Sequence, residues 1–360
     1  MASVQRKGRA MRLTPSSTTH RQPAPGTVLA SAATGFEAFV ESQGADAGAV
    51  LGRAGLARGL ASKPSDTIPL GSYCRALDEA VAATQNDNFG LWYGEQFQPR
   101  SFGLLGYLAI SAPTLGYALQ GLVERFPIHQ QYSYLRMGEE QGLYRLDYQV
   151  CDSTVINRRH DAELSLCMFL NVMRHALGNH WAPLEVHFQH AKPEAWQEHR
   201  WVFGADVKFG QARNGLVFRG DVLSQPMPGA DPNLQLVISQ ALDTLAGSRS
   251  GPSSLAQLVK LQIMERVHDG FPQLEDVAIR LNIPIWTLHR RLSREGVSFK
   301  VLVEEVRKEL VPVLMSQRPL TISELATKLG YSEVSAFSRA FHRWHGVSPK
   351  HWQAVVAREK

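Results

Sequence analysis

The chain has 360 residues, 44% of them hydrophobic and 20% charged, with a formal net charge of +5. That length suits two domains with a core in each, and the composition is ordinary for a soluble globular protein. No apolar run approaches the length of a bilayer-spanning helix, which argues against a membrane partner.

Residues 1–26 read as a disordered basic tail. Arg6, Lys7, Arg9, Arg12 and Arg21 occur with no acid among the first 25 residues, and the apolar centre of a secretory signal is missing. Charge then divides the rest of the chain: residues 26–253 carry a net −5 and residues 254–360 a net +5. An acidic body followed by a basic end suits a sensor joined to a nucleic-acid reader. Cys74, Cys151 and Cys167 are scattered, odd in number and without zinc or redox spacing, which points to a reducing cytoplasm and to packed, idle thiols. The thirteen histidines form no H-E-x-x-H pattern. His187 and His190 stand three apart on a predicted strand and so face opposite ways. Neither a metal site nor a cofactor is expected.

Residues 27–246 are expected to form an α+β domain. Thr27 to Leu60 suggests short helices broken by glycines. Pro69 to Ala83 predicts a helix with Tyr73, Leu77, Ala80 and Val81 on one side. Ser111 or Thr114 opens a helix expected to run through Val123. Gln131–Met137 and Leu143–Val150 alternate on either side of Gly138–Gly142, the pattern of a β-hairpin. Asp161 to Leu177 is amphipathic and Gly178 ends it. Leu184–Phe188, Val207–Phe209 and Leu216–Phe218 read as strands, and Pro193–Phe203 as a helix. His129, Tyr134, Arg136 and Arg158 are the polar or aromatic candidates for an effector pocket. Asp231 to Leu245 carries an apolar stripe of Leu234, Val237, Ile238, Leu242 and Leu245, available for core packing or for a homodimer contact. Residues 247–253 have the composition of a flexible linker.

Residues 254–357 are expected to be all-α and to contain one device twice, at 274–295 and 322–344. Leu274, Val277 and Leu281 match Ile322, Leu325 and Leu329 as the sticky face of a short first helix. Ala278 and Ala326 are small where a second helix crosses, and Asn282 and Gly330 accept the left-handed conformation of a sharp helix end. Leu288 and Leu292, or Phe337 and Phe341, then face inward on the second helix. Each copy is a helix-turn-helix. The outward residues are Trp286, His289 and Arg290 in the first copy and Ser335, Ser338 and Arg339 in the second, grouped by their i, i+3 and i+4 spacing. An outward Arg on a helix that fits the major groove can bond O6 and N7 of guanine together.

The segments Glu295-Gly296-Val297-Ser298-Phe299, Leu329-Gly330-Tyr331-Ser332, Ala336-Phe337-Ser338-Arg339-Ala340-Phe341 and His345-Gly346-Val347-Ser348-Pro349 resemble the DNA-binding domain of the arabinose-regulator (AraC/XylS) family. That resemblance implies two recognition helices entering successive major grooves and a long helix joining the two halves. Upstream, Leu104-Leu105-Gly106-Tyr107, Ser111-Ala112-Pro113-Thr114-Leu115, Pro183-Leu184-Glu185-Val186, Phe209-Gly210-Gln211-Ala212-Arg213-Asn214 and Pro226–Pro232 resemble the arabinose-binding-type sensor of one branch of the family. The implied protein is a sequence-specific, effector-responsive transcriptional activator, a homodimer on double-stranded promoter DNA that works with RNA polymerase. Two features depart from the family pattern. Pro284 stands where a capping side chain is usual, which would make the first copy the less stable half. Pro312 lies inside the joining helix and predicts a kink or break. The alternatives are a constitutive regulator with a degenerate sensor, or a DNA-repair alkyltransferase sharing the helical module. The latter needs an activated cysteine between Pro and His-Arg, and none of the three cysteines has that setting.

Overall fold

The computed structural model describes residues 26–152, 155–249, 255–266, 270–281, 283–317 and 320–356. The basic tail, Asn282 and most of the expected linker therefore lie outside the described residues.

The N-terminal domain opens on strand β1 (Thr27–Leu29), which pairs antiparallel with β2 (Thr67–Pro69). Between them come α1 (Phe36–Ser42) and α2 (Ala47–Arg53). Helix α3 (Leu70–Thr84) buries Tyr73, Leu77 and Ala80 as their spacing predicts. Helix α4 (Phe89–Glu95) crosses α7 (Arg159–Leu177) at very short range. A Cβ on Gly90 would lie 2.4 Å from the His160 carbonyl oxygen, and one on Gly94 2.8 Å from the Leu164 Cα. Those two glycines thus set how deeply α7 is seated. Helix α5 (Leu104–Ile110) leads to α6 (Leu115–His129), whose Thr114 cap accepts from the Tyr117 amide. Helix α6 continues through Pro127, six residues beyond its expected end, with Phe126 and His129 buried in the core. Their burial outweighs the one hydrogen bond that the proline removes.

Strands β3 (Ser133–Glu140) and β4 (Leu143–Val150) form the expected hairpin. Its turn is two residues, Gln141 and Gly142, with φ of 54° and 77°, the left-handed pair that a tight hairpin requires. After α7 come β5 (Glu185–His187), α8 (Gln197–Phe203), β6 (Asp206–Lys208) and β7 (Asn214–Arg219). The five-stranded sheet has the order β3-β4-β7-β5-β6, and only the β5–β6 pair is parallel. Leu146, Tyr148 and Val150 point into the core with α7. On the other face, by register, lie Tyr134, Arg136, Arg145, Asp147 and Gln149. Helix α9 (Pro232–Arg249) packs Ile238 and Leu242 into this domain while Leu234, Leu236 and Val237 stay exposed. It runs on through Gly247 and Ser248, so the expected linker is helical as far as Arg249.

The C-terminal domain is all helical in the described residues: α10 (Leu255–Arg266), α11 (Leu274–Arg280), α12 (Ile285–Arg294), α13 (Phe299–Gln317), α14 (Ile322–Lys328), α15 (Val334–His345) and α16 (Pro349–Val356). Glu295, just past α12, accepts from the amides of Leu255 and Ala256 at 2.9 and 3.0 Å and so caps α10. Helix α13 is continuous from Phe299 to Gln317, so of the kink or break expected at Pro312 the break does not occur. Buried Leu302, Val306, Leu310, Val311 and Leu314 hold it on both sides of that position, offsetting a missing hydrogen bond. The stability argument from Pro284 also fails. Pro284 supplies no side-chain cap, but neither does Glu333, its counterpart on α15.

Candidate nucleic-acid interface

Each helix-turn-helix buries the face its sequence marks. Val277, Ala278, Leu288 and Leu292 are buried in the first copy, and Leu325, Ala326, Leu329, Phe337 and Phe341 in the second. Gly330 has φ of 69°, as a sharp end to α14 demands. Its carbonyl and that of Leu329 accept from Arg307 of α13 at 3.1 and 2.8 Å. The Arg307 guanidinium is itself sandwiched between the Phe271 and Tyr331 rings, 4.6 and 4.4 Å from their centroids. The joining helix thereby fixes the turn that aims α15.

On the opposite faces, Trp286, His289 and Arg290 are exposed, as are Ser335 and Arg339, while Ser338 is half-buried. Neither Arg290 nor Arg339 is tucked into the interior, and no acidic side chain forms an ion pair with either among the described residues. The Arg290 guanidinium lies 4.8 Å from the Trp286 ring centroid, a cation–π contact on an indole that is 64% exposed. Ser335 donates to the Glu333 carboxylate at 3.0 Å, which constrains its hydroxyl. The outward rows extend further than the sequence reading took them. Arg294 lies one turn beyond Arg290, and His342 one turn beyond Arg339, both exposed. The same i+3 and i+4 spacing would have found them.

The four effector candidates do not converge. His129 is buried against the Phe102 and Phe126 rings, beside a void of about 10 Å³ that is too small for an effector. Tyr134 donates to Gln149 and joins the hydrophobic cluster of the C-terminal domain, together with Cys151. Arg136 is half-buried in the hairpin, opposite Asp147. Arg158 lines a cleft of about 580 Å³. Its Nε and Nη2 donate to the carbonyls of Val155 and Asp152, and its buried Nη1 has no hydrogen-bond partner among the described residues. Asp78, Asn157, Arg159, His160, His190 and Asn214 also line the cleft, and the sequence reading missed them. Burial raises the Asp78 carboxyl to about 6 and pushes the His190 imidazole down to about 4. The signal available in the sequence was the run Arg158-Arg159-His160 at the mouth of a strongly amphipathic helix.

Comparison with known proteins decides the family. Residues 44–227 match the arabinose-binding domain of AraC transcription regulators, and residues 277–354 match a helix-turn-helix domain. The chain belongs to the AraC family of transcriptional regulators. This AraC-family chain is 28% identical over 312 residues to the HTH-type transcriptional regulator Rv1395 of Mycobacterium tuberculosis, covering 82% of this chain and 88% of that one. It is 26% identical over 332 residues to the regulator VirS of the same species, covering 89% and 94%. It is 25% identical over 266 residues to the ornithine utilization regulator of Pseudomonas aeruginosa, covering 73% and 78%. The matched families are transcriptional regulators, not enzymes. The thiols of this AraC-family chain agree with that. All three cysteines are buried, and burial pushes Cys74 and Cys167 well up, away from the reactive thiolate that alkyl transfer needs. No helix among the described residues is long and apolar enough to cross a membrane.

Proposed function

We propose that this regulator is an effector-responsive activator that works in the cytoplasm and reads two successive major-groove segments per monomer. One observation carries the reading: two like-built helices each bury an apolar row and turn an exposed arginine, Arg290 or Arg339, outward. Trp286, His289, Ser335 and Ser338 complete the base-facing set, and the exposed Arg294 suits a phosphate contact. Grooves on one face of DNA lie about 34 Å apart. Selection from random duplexes is therefore expected to return two short motifs about 10 base pairs apart. A single contiguous motif would sink the two-helix reading.

The cleft beside Arg158 is the proposed effector site. About 580 Å³ suits a small metabolite. The unpartnered Nη1 of Arg158 favours one bearing a carboxylate or another strong acceptor. Arg158 donates to the carbonyl of Asp152, the chain neighbour of Cys151, which packs with the C-terminal core, so an effector that shifts Arg158 bears on the DNA-binding half. Leu236 and Val237 on α9, each 59% exposed, form the proposed homodimer contact. Thermal shift against a metabolite panel tests the sensor, and in vitro transcription with RNA polymerase tests activation. A cleft that binds none of the panel would favour a constitutive regulator with a degenerate sensor.

A further inference from the structure

Behind the cleft wall lies a group of side chains that the DNA-reading function does not use. Glu163 and His199 are 0% exposed, and His160 and His190 are also buried. They come from three places in the chain: His160 and Glu163 from the first turns of α7, His190 from the segment after β5, and His199 from α8. One ligand atom from each of Glu163, His190 and His199 lies within 4.8 Å of the others. His199 Nε2 is 2.8 Å from Glu163 Oε1, and His190 Nε2 is 3.5 Å from the same oxygen. His160 Nδ1 approaches the other oxygen at 3.4 Å.

Hydrogen bonding leaves this group incomplete. His190 Nδ1 lies 2.9 Å from the Ala191 carbonyl oxygen, which can only accept, so Nδ1 carries the hydrogen. In a neutral ring Nε2 then presents a lone pair toward a carboxylate oxygen, acceptor against acceptor. Among the described residues His190 Nε2 and His199 Nδ1 are buried with no hydrogen-bond partner, and His160 Nδ1 and Glu163 Oε2 meet only each other, at 3.4 Å. Buried polar atoms so poorly met are costly, since they forfeit hydration without full replacement. A cation bound by His190 Nε2, His199 Nε2 and Glu163 Oε1 would satisfy the first of these atoms and replace the acceptor-against-acceptor approach with two metal bonds. The carbonyl-bonded Nδ1–H of His190 is also the arrangement that orients a metal-binding imidazole through its far nitrogen.

We propose that Glu163, His190 and His199 bind one divalent zinc ion, with His160 steadying the carboxylate from its other side. Two imidazole nitrogens and one carboxylate oxygen select zinc over magnesium or calcium, which prefer all-oxygen sites. Ligand bonds of about 2.0–2.1 Å in a tetrahedron place ligand atoms about 3.4 Å apart. The 3.5 Å pair is already at that spacing, and the 2.8 Å pair opens by about 0.6 Å. Arg159 opposes the cation, because its Nε shares Glu163 Oε1 at 2.9 Å. That guanidinium is in turn held by the Asp87 carboxylate at 3.1 Å, which offsets its charge. Because His160 and His190 also line the cleft, the ion would tie α7 and α8 to the cleft wall. The inference stands apart from the effector reading and does not need it.

The test uses the untagged full-length chain, stripped with a chelator and titrated with Zn²⁺ alone. The expected result is one equivalent retained per chain through gel filtration and a higher melting temperature with zinc. Co²⁺ in its place should give the visible bands of a low-coordinate nitrogen–oxygen site. His190→Gln, at the rim and so the mildest change, should weaken Zn²⁺ binding at least ~10-fold with unchanged circular dichroism. His199→Gln should do the same, while His187→Gln, on the outer face of the sheet, should bind as the wild type does. Retention of less than about a tenth of an equivalent, with no cobalt bands, would overturn the proposal. So would wild-type zinc affinity in the folded His190→Gln protein.

Discussion

Replacing Arg290 with alanine separates a base contact from a merely basic surface. A guanidinium bonding O6 and N7 of guanine contributes about 1–3 kcal/mol of discrimination, so Arg290→Ala should weaken specific binding about 5- to 150-fold. It should also relax the preference at one base position. Part of the effect arises before DNA arrives, because Arg290 rests 4.8 Å from the Trp286 centroid. At an exposed site that contact amounts to about 0.5–1 kcal/mol and narrows the rotamers the arginine samples. Trp286→Ala alone should therefore cost about 2- to 5-fold. The double mutant should fall short of the sum of the two by a similar energy, the signature of residues acting together. The assay is fluorescence anisotropy on the selected duplex and on single-base variants, repeated at several salt concentrations. Arg339→Ala should behave alike at a different base. If Arg290→Ala lowered affinity equally for every sequence and reduced only the salt dependence, Arg290 would be a phosphate contact and the recognition assignment would fail.

Gly330→Ala places a Cβ on a residue at φ of 69° and 2.6 Å from Phe271 Cδ2, so it should cost about 1–2 kcal/mol and shift the ring that stacks on Arg307. Thermal melts of the full chain check it, and an unchanged melting temperature would refute the strain. Asp78→Asn tests the cleft electrostatics. A carboxyl raised to about 6 stabilises the fold below its unfolded pKa near ~3.9 and loses that contribution as pH rises through 6. The variant should therefore melt a few degrees above wild type at pH 7.5, for about 1–2 kcal/mol after allowing for partial exposure, and match it only below about pH 3.9. A constant difference across that window would contradict the assignment. Val237→Glu puts charge on the exposed face of α9 and should convert a dimer to a monomer by light scattering; an unchanged mass would remove α9 from the interface.

The DNA-reading half was legible because its pattern is local and repeated. Leu288 and Leu292, or Phe337 and Phe341, are one turn apart on a single helix, and periodicity alone assigns them inward. The hairpin was legible for the same reason, although its expected interruption, Gly138–Gly142, overran the two-residue turn because Gly138–Glu140 still pair in β3. Pro312 did not break its helix, because a single missing hydrogen bond is decisive only where packing is weak, and buried residues anchor that helix on both sides. The effector candidates were chosen for chemistry alone. His129 and Arg158 belong to different parts of the fold, and no spacing could have shown that only Arg158 borders the cleft. The Glu163 cluster was hidden further still, since α8 brings His199 to α7 from 36 residues away.

Helix α9 ends at Arg249 and α10 begins at Leu255. Six peptide steps of at most ~3.6 Å give that tether a reach of about 20 Å, less than one helical turn of DNA. Whatever path residues 250–254 take, the two helix ends stand no further apart than that. Promoters that this regulator serves should tolerate few changes in the distance between paired binding sites, and lengthening the tether by a handful of residues should widen that tolerance.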